Sequence, residues 1–138
     1  MGKNSYEYTG INTSATAAFP AGTDLTDIGA KAVALSEEGL FMPEAGAEIV
    51  GIVPISEDES YQKGEDVTVQ VKDIGLWKAG AEFARGTLLA TDKDGLCQEA
   101  SAGQWVCARA LASASEKGSL IRVQIIHAGQ MAQTANTP

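Results

Sequence analysis

Aromatic side chains are scarce in this sequence: Trp, Tyr and Phe together make up 6% of 138 residues. A core built from so few rings has to be thin and aliphatic, filled by the abundant Ala, Val, Ile and Leu. Histidine occurs once, at position 127, and cysteine twice, at 97 and 107. One histidine without a Gly-x-Ser-x-Gly elbow leaves no Ser-His-Asp hydrolase to build. Two cysteines and one histidine, without metal-like spacing, leave no zinc site. No glycine-rich phosphate cradle and no dinucleotide fingerprint occur. Lys and Arg number 10 against 18 Asp and Glu, a net charge of −8, which argues against a nucleic-acid partner. No apolar run is long enough for a signal peptide core or a membrane span. Synthesis in the cytoplasm is therefore expected, with no membrane partner. The residues point to no cofactor, no metal and no catalytic group.

The thiols are then expected to be reduced. They are read as small buried residues, in preference to a cross-strand contact between them or a Cys–His pair of either with His127. Met1-Gly2 opens like a myristoylation site, but Tyr6 stands where Ser or Thr is needed.

What the chain has is a stretch that occurs twice. Lys117 to Ile126 reads Lys-Gly-Ser-Leu-Ile-Arg-Val-Gln-Ile-Ile, and Lys63 to Val71 reads Lys-Gly-Glu-Asp-Val-Thr-Val-Gln-Val. Val67, Val69 and Val71 alternate with Thr68 and Gln70; Ile121, Val123 and Ile125 alternate with Arg122 and Gln124. β-Branched residues with a period of two after a glycine turn mark half-buried strands. Upstream, Val33 to Leu40 aligns with Leu89 to Leu96, each an apolar strand followed by an acidic turn ending in Gly39 or Gly95. Each copy thus predicts a strand, a turn, a second strand, an irregular loop and the Lys-Gly strand. The pseudo-repeats run over about 30–72 and 86–127. Two copies are too few for a solenoid, so the expected fold is mainly β: one small barrel or sandwich, β-clip-like, spanning 30–129.

The remainder lacks a period. Residues 1–29 are rich in Ser, Thr, Ala, Asn and Gly, and read as a flexible leader or as an extended N-terminal arm. In the second reading Tyr6, Tyr8, Ile11 and Phe19 are anchors, because spaced aromatics on a polar strap suit binding. Ile49 to Ile55 reads as a strand buried on both faces, Ser56 to Gly64 as an acidic exposed loop, Ala112 to Ser115 as one helical turn, and 130–138 as a flexible tail. Asp92-Lys93-Asp94-Gly95 opens like a calcium loop, but Gly103 stands where the twelfth-position Glu is needed, so a hairpin turn is expected. Trp77 and Trp105 read as core anchors or interface residues, with one of each plausible in so small a domain.

From Val67 to Gly129 the chain resembles the DUF2190 family of tailed-phage capsid cement proteins. The residues that carry the resemblance are Val67 to Val71, Lys78-Ala79-Gly80, Arg85-Gly86-Thr87-Leu88-Leu89, Ala90 to Gly95, Gly103-Gln104-Trp105-Val106, Arg109-Ala110-Leu111 and Lys117 to Ile125. Cys97 and Cys107 depart from that pattern. The resemblance implies a small, non-enzymatic β protein on the outer surface of the virion, often a homotrimer at three-fold positions, with the major capsid protein as partner. It implies that such a protein stabilises the expanded shell. The alternative is a capsid-surface adhesive or fibre-like module recognising a host surface or glycan. Subunit or shell contacts are then expected at Tyr6, Tyr8, Ile11, Phe19, Trp77 and Trp105.

Overall fold

A glycine or an acidic turn separates most of the short β-branched runs, and the chain folds back on itself at each one. The computed structural model describes residues 14–56 and 59–132. Within them it is all β, with ten strands: β1 (Thr16–Pro20), β2 (Ala32–Ser36), β3 (Gly39–Phe41), β4 (Gly51–Ile52), β5 (Asp66–Gln70), β6 (Asp73–Lys78), β7 (Leu88–Thr91), β8 (Cys97–Glu99), β9 (Trp105–Ala110) and β10 (Leu120–Gln130). They form two five-stranded sheets, ordered β1-β5-β4-β2-β3 and β6-β10-β9-β7-β8, and every strand pair is antiparallel. Adding five to each strand number of the first sheet gives the second. The duplication seen in the sequence is therefore a duplication of topology.

It also starts earlier than expected. The body was predicted to begin at residue 30, but β1 pairs with β5 from Thr16↔Gln70 to Pro20↔Asp66, as β6 pairs with β10. Ala21, Leu25 and Ile28 lie in the core at 1%, 1% and 0% exposure. Residues 14–29 thus belong to the first sheet unit, which corrects that part of the expected arm; Tyr6, Tyr8 and Ile11 lie outside the described residues.

The equivalence holds bond by bond in the connectors. Leu25 and Tyr61 exchange backbone hydrogen bonds of 2.8 and 2.7 Å, and so do Phe83 and Ala114 at 3.2 and 2.9 Å. The Asp27 N–H donates to Ser60 Oγ and the Arg85 N–H to Ser113 Oγ, each at 2.9 Å. Ala30 and Gly86 donate to the Val53 and Ala110 carbonyls at 2.7 and 2.8 Å, both with positive φ, 58° and 93°. Ala114 is held by Phe83 in this pattern, so the helical turn expected at 112–115 does not form.

Each half buries its own apolar face, and the two are sewn together at one seam. One cluster packs Ala21, Leu25, Ile28, Val33, Leu40, Val53, Val67 and Val69; a larger one joins Ala32, Ile49 and Ile52 of the first sheet unit to Trp77, Leu89, Ile121 and Val123 of the second. The Gly95 carbonyl accepts from both the Trp77 indole N–H and the Ala32 backbone N–H, each at 2.8 Å. Gly46 bridges Thr91 and Trp105 through backbone bonds of 2.8 and 2.9 Å. The expected strand from Ile49 to Ile55 shrinks to Gly51–Ile52, and Ile55 is exposed at 48%. The cause is local: a β-carbon on Gly51 would meet the Gln70 carbonyl and the Val69 side chain, and Pro54 lacks the N–H that further pairing needs. At the other end Met131 exchanges backbone bonds with Gly103 and Gln104, so the predicted tail begins inside the fold; residues 133–138 are not among those described.

Candidate functional surface

Cys97 and Cys107 are free and buried, as their reading as small core residues requires. Burial pushes the Cys97 thiol far above its ordinary range and the Cys107 thiol up to about 11. Neither supplies a thiolate near neutral pH. His127 stands at the bulge of β10, with positive φ of 45°, and its Nε2 lies 2.8 Å from the Val71 carbonyl. It shares a cavity of about 70 Å³ with Cys107, Glu48, Ile49, Trp105 and Gly129. His127 also lines a depression of about 320 Å³ with Leu35, Glu48, Ile49 and Val50, which, among the described residues, brings one carboxylate and no second nucleophile or metal-ligating cluster to the imidazole. Asp92 works as a turn former: its Oδ1 accepts from the Asp94 and Leu96 N–H groups at 2.8 and 2.9 Å. A side chain spent on two backbone donors is a hairpin device.

The aromatic candidates separate. Trp77 has no exposed surface and its N–H is satisfied inside the fold, so it is removed from the expected contact residues. Phe19 is half-buried against the first half's own core, and Trp105 is half-buried against the core of the second. The register makes Phe19 and Trp77 counterparts, since they face Val67 and Ile121 at matching places after the two Lys-Gly turns. The sequence offered both as ring anchors for a partner; the structure uses them mainly as anchors of the two halves.

Six large apolar side chains among the described residues stand in solvent, Leu35, Phe41 and Ile55 in the first half and Ile74, Leu76 and Leu120 in the second, and none was singled out by sequence as a contact residue. Ile74 is 56% exposed, Leu76 43% and Leu120 47%. All three lie on one outward face, because β6 edges its sheet and pairs with β10 through Lys78↔Leu120, Leu76↔Arg122 and Ile74↔Gln124. Side chains directly opposite in an antiparallel pair share a face. The patch therefore reads Ile74, Leu76, Lys78, Leu120, Arg122 and Gln124. The signal was available: the alternation that buries Ile121, Val123 and Ile125 puts their neighbours outside.

No family model and no curated protein matches this chain. Among solved structures, this chain is similar to the N base of the head fiber gp8.5 of bacteriophage phi29. The likeness has a TM-score of 0.64 at 16% identity, over 86% of this chain and 98% of that one. At that identity it establishes the fold. The head-fiber base and this chain share an all-β body, which agrees with the barrel or sandwich read from the repeat. The narrower cement family remains a resemblance carried by the motifs alone. Among the described residues no helix is long and apolar enough to cross a membrane.

Proposed function

We propose that this chain is a structural protein of a tailed-phage head, seated on the outer surface of the shell and associated with the major capsid protein. The observation that carries this reading is the likeness of most of the chain to a phage head-fiber base. The composition supports it: an acidic β body, with thiols buried and protonated, suits a particle component. In this reading the protein is no enzyme and needs no cofactor. Copies group about three-fold positions, the N-terminal segment with Tyr6, Tyr8 and Ile11 and one edge of the body touch the shell, and the expanded shell is stabilised. The work is done by mass action, since a ligand that binds only the expanded state shifts the equilibrium toward it. Several copies about one axis add avidity without new kinds of contact.

The test is to mix purified protein with undecorated expanded heads and pellet the particles. Saturable binding at micromolar concentration, with raised resistance of the heads to heat or chelation, is the expected result. Absence of binding sinks the reading.

The name of the structural neighbour favours a second reading, a fibre-like module that meets a host surface or glycan. It predicts binding to host cells or a glycan array independent of heads. Trp77 cannot serve it, being fully buried.

A further inference from the structure

The charge of −8 is not shared between the two halves. Residues 14–72 carry eleven Asp and Glu against three Lys, whereas residues 73–132 carry six acidic and six basic residues. All of the net charge therefore sits on the first half. The equivalent outward faces differ in the same sense. On β1 and β5 the face is Thr16, Ala18, Pro20, Asp66, Thr68 and Gln70; on β6 and β10 it is Ile74, Leu76, Lys78, Leu120, Arg122 and Gln124. One scaffold accepts both sets, so the backbone does not require Ile74, Leu76 or Leu120. An apolar row on an edge strand invites pairing and aggregation unless something covers it. Among the described residues the ion pair within 4.0 Å joins Lys31 to Asp27, so Lys78 and Arg122 keep uncompensated charges beside that row.

We propose that this face docks the acidic first half of a second copy of the chain, in a head-to-tail contact. Apolar burial supplies the attraction, and Lys78 and Arg122 supply the match to a surface rich in carboxylates. A contact of the face with itself is disfavoured: it would gather the cations of both copies where neither copy offers an acid. Head-to-tail contacts between unlike faces close into rings when the rotation allows. This deepens the assembly part of the reading above and rests on it only for the idea that copies meet on one head.

The experiment is sedimentation velocity on the full chain from about 1 to 100 µM, with Leu76→Glu and Arg122→Glu beside the wild type, and circular dichroism to confirm that each variant folds. The expected result is a concentration-dependent oligomer that weakens at least tenfold in either variant, and weakens for the wild type in 0.5 M salt. Labelled Leu76→Glu protein, alone a monomer, should still co-sediment with wild type, because it keeps its acidic half. Failure of that mixing overturns the head-to-tail geometry. A wild type that stays monomeric, or an oligomer indifferent to both substitutions, overturns the contact. If Leu76→Glu instead abolishes head binding by a monomeric wild type, the face belongs to the shell: the self-contact is lost while the head reading stands. Intact self-association without head binding gives the converse.

Discussion

The two halves of this molecule have the same strand order, matching hydrogen bonds in their connectors and different contents. At matched positions the first half places Phe19, half-buried, and the second places Trp77, fully buried. At the acidic turns, Glu37 and Glu38 form a two-residue hairpin loop between Ser36 and Gly39, whereas Asp92 to Leu96 builds a longer one that reaches across the seam. On the outside, the first half is acidic and the second neutral, and the β6–β10 face is apolar where the matched β1–β5 face is small and polar. Duplication supplies the scaffold twice; divergence then assigns one copy to hold the halves together and leaves the surfaces free to specialise. The shared topology is set by glycine turns and alternation, which both copies keep. What differs is what the fold does not need.

The largest expected effect lies at the ring positions. Trp77→Ala removes a fully buried ring and the donor to the Gly95 carbonyl, and should cost about 3–5 kcal/mol. Phe19→Ala, at the matched site but half-buried, should cost about half as much. Urea denaturation measures both. Equal losses would show that the second half is not the anchor.

Next comes the thiol pair, which has no match in the first half. A thiol whose folded pKa is raised binds its proton more tightly when folded. Its stabilising contribution is complete below the unfolded value of about 9 and is lost as pH climbs through the folded value, about 11 for Cys107. Stability should therefore fall between pH 9 and 11 by roughly 1 kcal/mol per pH unit for each of the two raised thiols, and a Cys97→Ala, Cys107→Ala double variant should flatten that slope. A slope unchanged in the double variant assigns the loss to other groups.

Much of the scaffold was legible before any coordinates. Alternation from Val67 and from Ile121 named the inward residues, because a period of two leaves only one face to bury. The Gly39 and Gly95 turns fixed where strands reverse. β1 was illegible because Thr-Ala-Ala-Phe-Pro has small residues on both faces; its pairing is set by β5 across the sheet, a non-local fact. Ile49 to Ile55 misled for the opposite reason: hydrophobicity there was real, but Gly51 is pinned against β5 and the chain then leaves the sheet. The candidate contact residues were chosen mainly as aromatics; of those among the described residues, Trp77 went to the core and Phe19 and Trp105 pack half-buried against it. The exposed aliphatics carried the surface information, and they show only after the inward set is known.

The acidic turns give a smaller contrast. Asp92→Ala strips the acceptor from two backbone donors, Asp94 and the buried Leu96, and should cost about 1–3 kcal/mol. Ser36→Ala removes two longer neutral bonds, one accepted from the Glu38 N–H at 3.2 Å and one donated to the Gly39 carbonyl at 3.1 Å, and should cost about 1 kcal/mol or less. Because Gly95 joins Trp77 to Ala32, loosening this turn should also raise hydrogen exchange at the Ala32 amide in the other half. Exchange confined to the turn would mean that the seam is held elsewhere.

The smallest effect separates strain from space. Gly86 and Ala30 occupy matched positions, and both have positive φ. A β-carbon added at Gly86 meets nothing within 4 Å, so Gly86→Ala isolates the conformational penalty, about 1 kcal/mol for a side chain at left-handed φ. The reverse change, Ala30→Gly, relieves a similar strain but deletes a fully buried methyl and loosens the unfolded chain, two costs that together offset the gain. Gly86→Ala should therefore lower the melting temperature by a few degrees while Ala30→Gly leaves it nearly unchanged or lowers it slightly. If Ala30→Gly instead stabilises by more than about 1 kcal/mol, the first half stores strain that the second has shed. The two copies would then differ in backbone as well as in surface, and the acidic half would be the more constrained of the two.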